Sequence, residues 1–95
     1  MYKELDPLLH SQLRLAIVSL LISVKEAEFA YIKEKTGATA GNLSVQITKL
    51  SDAGYIFVKK SFRNNYPLTT CKVLPKGVKS FEKYVTNINS YINPQ

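Results

Sequence analysis

Residues 36–56, TGATAGNLSVQITKLSDAGYI, carry the pattern on which the fold turns. Thr36-Gly37 closes one helix, and Thr39 is a favoured N-cap for the next. Leu43, Ile47 and Leu50 then fall at spacings of four and three, which marks a single buried face. Gly54 stands where a left-handed residue is wanted to end that helix. The opposite face carries Asn42, Val45, Gln46 and Lys49, side-chain types that read base edges and phosphates. Any amphipathic helix has a polar face, so these four describe a merely solvated helix equally well. The flanking sequence shifts the balance toward recognition, while Asn42 and Gln46 could equally contact only phosphate or water.

Directly after Gly54 comes Tyr55 to Phe62, YIFVKKSF, a β-branched and aromatic run with basic residues toward its far end. Arg63-Asn64-Asn65-Tyr66-Pro67 has turn chemistry, because Asn tolerates positive φ and hydrogen-bonds its own backbone. Leu68 to Leu74 reads as the returning strand. A presented helix followed at once by a basic-tipped hairpin is the order of a winged helix-turn-helix. Here the chain resembles winged-helix transcription regulators of the MarR and ArsR type. It is most similar to a short subgroup whose recognition helix runs Gly-Asn-Leu-Ser and ends Leu-x-x-Ala-Gly-Tyr. Those residues stand here as Gly41-Asn42-Leu43-Ser44 and Leu50-Ser51-Asp52-Ala53-Gly54-Tyr55. The resemblance spans roughly residues 8 to 90.

The chain is 95 residues long, enough for one domain with a modest core, so residues 1–95 are read as a single winged-helix domain. The apolar stretch around Ala16 to Val24 is too short to span a bilayer and is interrupted by Ser19 and Ser23. No basic-then-apolar leader opens the sequence, so a cytoplasmic location is expected. One cysteine, Cys71, cannot form an internal disulfide, which fits a reducing compartment. The net charge of +6 is unevenly placed. Residues 1–48 hold five cations and five acids, whereas residues 49–95 hold eight cations against Asp52 and Glu82. All of the excess therefore falls on the half with the end of the recognition helix, the wing and the last helix. That is the footprint of a polyanion binder, although solubilising lysines would produce the same count.

Asp6-Pro7 is an N-cap followed by proline at the first helical position, and predicts a first helix from about Leu8 to Lys25. Leu9, Leu13, Ala16, Ile17, Leu20, Leu21 and Val24 form its expected core face. Leu8, Leu15, Val18 and Ile22 make a second apolar stripe, to be covered by a partner, by the chain's own last helix, or by both. Glu26-Ala27-Glu28 reads as a connection or a strand edge against the wing, and Phe29 to Lys35 as a short bracing helix with Phe29 and Ile32 inward. The last helix is expected from Pro75 to about Ile92. Its Val78, Phe81, Val85, Ile88 and Ile92 repeat at spacings of three and four, flanked by Tyr84 and Tyr91, which is a coiled-coil type of seam. Together with the second stripe of the first helix, Phe81, Val85, Ile88 and Ile92 suggest a homodimer interface. The resemblance implies the same, since these regulators pair through their terminal helices.

Enzyme chemistry finds little to work with. The single histidine, His10, reads as a surface or interface residue, and Cys71 as a small core residue in a strand. Several His and Cys at ligand spacing, which a metal site requires, are lacking, so no metal or cofactor is expected. Gly37 and Gly41 form no phosphate loop, because no P-loop lysine follows them.

The expected partner is double-stranded DNA. Thr39 would cap the recognition helix and turn its free N–H groups toward a phosphate. The resemblance implies a backbone contact for Ser44. Asn42 and Gln46, four apart, could pair bidentately with adenine, Val45 could meet a thymine methyl, and Lys49 a phosphate. Gly41 would let the helix approach closely. Lys59, Lys60, Arg63, Asn64 and Asn65 of the wing, with Lys72 on the returning strand, would lie beside the flanking minor groove. Two departures from the family pattern stand out. Leu74 replaces the threonine that commonly caps the last helix, and the Asp-x-Arg wing motif of larger relatives is missing. The chain also lacks the extra helices that frame an effector pocket in those relatives, so small-molecule sensing is unsupported. The expected fold is therefore mainly α with a small β-hairpin (α+β), a winged helix-turn-helix. The expected function is sequence-specific DNA binding in transcription regulation. The alternatives are a winged-helix protein-interaction module in a larger assembly, or a non-specific chromatin-like DNA binder.

Overall fold

The computed structural model describes residues 1–94. Its elements run α1 (Gln12–Val24), β1 (Glu26–Glu28), α2 (Phe29–Thr36), α3 (Ala40–Asp52), β2 (Ile56–Arg63), β3 (Tyr66–Val73) and α4 (Pro75–Ile92). The three strands form one antiparallel sheet in the order β1-β3-β2. This is the expected winged helix, with the Glu26–Glu28 segment serving as the third strand through Ala27 opposite Cys71.

The first helix starts later than Asp6-Pro7 predicts. Asp6 does begin a turn: its side chain accepts from the Leu8 N–H at 2.9 Å, and its carbonyl from His10 N–H at 2.8 Å. Ser11 then leaves helical geometry, at φ −153° and ψ 126°, and caps α1 by accepting from the Arg14 N–H. Both residues are good caps. Tertiary contacts select the break, because it seats Leu9 fully in the core and lets the Tyr55 hydroxyl donate to the Asp6 carboxylate. Burial, followed by that Asp6 contact, raises the Tyr55 pKa.

α1 is the axle of the fold and packs against α2, α3, α4, β1 and β3. Helices on several sides explain a second correction. Val18, a candidate for the dimer interface on a stripe left to a partner, to the last helix or to both, is fully enclosed together with Ile17 and Leu21, and has no surface to offer another chain. Leu8, Leu15 and Ile22 of the same stripe remain half-buried. The rest of the core comes from Ile32, Leu43, Ile47, Leu50, Ile56 and Cys71. Burial pushes the Cys71 thiol up to about 11, so it stays protonated and packs as a small apolar group.

The local rules hold well around the wing. Gly54 takes φ +79° and closes a Schellman motif: Tyr55 N–H donates to the Leu50 carbonyl and Gly54 N–H to that of Ser51, both at 3.0 Å. Asn64 and Asn65, at φ 52° and 68°, form a two-residue turn with two left-handed residues, which matches the twist of the strands they join. The strands are longer than expected, since Tyr66 and Pro67 pair with Arg63 and Phe62. α4 begins at Pro75, with Leu74 at the cap position making no side-chain cap bond. Gly77 brings this helix onto the chain leaving α3, because a Cβ there would stand 2.3 Å from the Tyr55 carbonyl oxygen.

Along α4, Tyr84 turns inward and its hydroxyl meets His10 Nδ1 at 3.0 Å. Tyr91 instead holds the N-terminal segment, donating to the Lys3 carbonyl at 2.9 Å and stacking on Tyr2. Phe81 and Ile88 are half-buried, while Val85 and Ile92 are exposed. The chain's own α4 therefore covers α1 only in part. Between the two helices an apolar groove of about 490 Å³ remains open, lined by Leu15, Ala16, Phe81, Val85 and Ile88 among others.

Candidate nucleic-acid interface

Leu43, Ile47 and Leu50 pin one side of α3 into the core, and this fixes which side faces outward. Thr39 caps the helix as expected, its Oγ1 accepting from the Asn42 N–H at 3.2 Å. Gly41, Asn42, Ser44, Val45 and Lys49 are all exposed on the outer surface. At Gly41 an added Cβ would meet nothing within 4 Å, so packing within the chain does not demand glycine there.

Gln46 differs from these neighbours. It is half-buried, and both ends of its amide are engaged. Its Nε2 donates to Asn42 Oδ1 at 2.9 Å, and its Oε1 accepts from Arg14 Nη1 at 2.6 Å. Arg14 is held in turn by its Nε, which donates to the Leu8 carbonyl at 2.6 Å. Sequence reasoning did not single out Arg14. It lies 32 residues before Gln46 on another helix, and no spacing rule links the two.

Strand alternation sorts the wing cations onto two faces. Lys60 lies on the same face as Val58 and, with Ser44 and Thr48, lines a cleft of about 440 Å³ between α3 and the wing. Lys59, Arg63 and Lys72 fall on the opposite face, where Lys72 stands across from Glu26 in the strand register. Arg63 is additionally ion-paired with Glu28. Lys60 alone among these four cations shares the α3 side. Asn64 and Asn65 supply the turn through their backbone conformation, and both residues are exposed. Phe62 and Tyr66, each 75% exposed beside that turn, were not anticipated as site residues. The signal was available, since large aromatics next to a two-residue turn have little core to reach.

Comparison with known proteins fits this geometry. A family model described as a winged helix DNA-binding domain matches residues 13–92. An uncharacterized protein of Methanocaldococcus jannaschii is 35% identical over 79 residues, covering 83% of this chain and 86% of the relative. A transcriptional regulator homologue from Pyrococcus horikoshii OT3 has a similar structure, with a TM-score of 0.82 at 24% identity over 90% of this chain and 84% of the other. An ArsR family transcriptional regulator superposes with a TM-score of 0.60 at 15% identity, over 93% and 86% of the two chains. No helix among the described residues is long and apolar enough to cross a membrane. The chain belongs to the winged helix DNA-binding domain family, and is a DNA-binding protein rather than an enzyme.

Proposed function

We propose that this protein is a cytoplasmic, homodimeric transcription regulator that binds duplex DNA sequence-specifically, with one winged-helix domain in each chain. The observation that carries this reading is the outer face of α3. A capped helix projects Asn42, Val45 and Lys49 into solvent, with no packing demand on Gly41, and Lys60 of the wing stands on the same side. Side chains of this kind on a protruding helix can reach base edges in a major groove, while the adjacent cation neutralises phosphate. The excess of positive charge in residues 49–95 supports the same orientation.

Dimerisation rests on the groove between α1 and α4. Leu15, Phe81, Val85 and Ile88 line it, and Ile92 continues the apolar stripe at 69% exposure. A second copy packed there would remove these side chains from water and pair α4 with its equivalent. Two recognition helices would then enter successive major grooves about 10 bp apart. Light scattering on the purified chain, combined with footprinting on genome fragments that it selects, tests both parts. A dimer protecting two half-sites one helical turn apart is expected. A monomer at micromolar concentration would remove the paired site.

A second reading has one observation in its favour. Phe57, Phe62 and Tyr66 present exposed aromatic surface on the wing, which suits contact with another protein. Substituting Phe62 and Tyr66 by Ser separates the readings. DNA affinity persists after this change if the wing aromatics serve a protein partner, and falls if they lie on the duplex.

A further inference from the structure

The side-chain relay between α1 and α3 bears on which base the helix would read. Arg14 carries a guanidinium, which only donates hydrogen bonds. Gln46 must therefore turn its oxygen toward Arg14 Nη1, and the observed contact at 2.6 Å has that polarity. Its Nε2 is then directed to Asn42 and donates to Oδ1 at 2.9 Å. Asn42 must in turn point its oxygen inward along the helix, which leaves its Nδ2 group outward on the exposed first turn of α3. Amide oxygen and nitrogen are nearly the same size, so without an anchor either amide could flip. The Leu8 carbonyl holds the anchor in place through Arg14 Nε at 2.6 Å.

This polarity disfavours the pairing expected from residue types alone. Bidentate contact with adenine needs an amide oxygen to accept from N6 and an amide N–H to donate to N7. Here each amide oxygen already accepts one bond within the protein and is turned toward its partner, so the groups directed outward are N–H donors. Guanine presents two adjacent acceptors, N7 and O6, at the major-groove edge. We propose that Arg14 is a specificity-determining positioning residue: acting through Gln46, it holds Asn42 with its N–H donors outward, so that the first turn of α3 selects guanine over adenine. The inference rests on the reading of α3 as a major-groove helix, and Arg14 itself touches no base.

The test uses the full chain and duplexes selected from a random library. The position read by Asn42 is the one whose preference vanishes in Asn42→Ala. Wild type is expected to require guanine there, with about a tenfold loss on changing it to adenine or to 7-deazaguanine, which lacks the N7 acceptor. Arg14→Met keeps the apolar stem and removes the donors, so the guanine preference should fall to within about threefold of adenine, with the salt dependence unchanged because no phosphate contact is lost. Gln46→Glu is the second variant. It still accepts from Arg14 but offers Asn42 an oxygen, which turns the Asn42 amide around and shifts the preference away from guanine toward bases that donate, adenine or cytosine. A guanine preference that survives both variants overturns the relay, as does a different base at the Asn42 position in wild type. A reduced salt slope in Arg14→Met would make Arg14 a phosphate contact and also overturn it. Selection that yields no motif at all would overturn sequence-specific binding, and this inference with it.

Discussion

Gly41→Ala should move stability and DNA affinity in opposite directions. Gly41 is the second residue of α3, exposed, with no atom within 4 Å of an added Cβ and no positive φ to strain. Alanine is favoured over glycine in a helix by about 0.8–1 kcal/mol, and somewhat less in the first turn. For a domain of this size each kcal/mol corresponds to about 4–8 °C in Tm, so a rise of a few degrees is expected in a calorimetric or circular-dichroism melt. On a duplex the added methyl would occupy space that glycine leaves for close approach. Forcing a methyl into a packed contact costs about 1–3 kcal/mol, a loss of roughly ten- to a hundredfold in affinity by fluorescence anisotropy. A melt that shifts downward would show that the space around Gly41 is not open. A more stable protein with unchanged affinity would take this turn of α3 off the DNA.

Three further outcomes follow from the same structure. Gly77→Ala drives a Cβ to within 2.3 Å of the Tyr55 carbonyl, a backbone atom that cannot swing aside, so urea unfolding should show a loss of about 1–3 kcal/mol or more. Cys71 has a folded-state pKa near 11, above that of an unfolded cysteine, so the stability it contributes is complete below the unfolded value of about 8.5 and is lost as pH rises from there through 11. The urea midpoint of wild type should therefore fall more steeply over that window than that of Cys71→Ala, and parallel curves would contradict the burial of the thiol. Glu28→Gln releases Arg63 from its ion pair and removes one negative charge, so DNA affinity should rise while stability changes by less than about 1 kcal/mol. Unchanged affinity in this variant would place Arg63 away from the duplex.

What could be read from residues alone was whatever a short stretch of chain decides. α3 was legible because Thr39 and Gly54 bracket it and Leu43, Ile47 and Leu50 repeat between them. The wing turn followed from two asparagines that accept positive φ, and the start of α4 from Pro75. Choices between equivalent local signals were not legible. Asp6 and Ser11 are both good caps, and burial of Leu9 and the Tyr55 contact 49 residues away decide where α1 begins. Val18 falls on the second stripe of a helix that is apolar nearly all round, and only the topology says which flank the chain itself covers. Consecutive residues in a strand point to opposite faces, so the division of Lys59 from Lys60 was present in the sequence, masked by treating the wing's charge as a single patch. Arg14, Gln46 and Asn42 come together across two helices. Nothing in a linear pattern announces a contact of that kind.

The most direct test is equilibrium binding of the purified chain to its selected duplex and to a scrambled duplex of equal length, each titrated over a range of salt concentrations. Specific recognition by α3 predicts a ratio of at least about 10³ between the two at physiological salt. It also predicts that Lys60→Ala lowers the slope of log affinity against log salt by about 0.9 on both duplexes. A ratio near one, or a slope indifferent to Lys60, would contradict a helix that reads sequence beside a wing that holds the backbone.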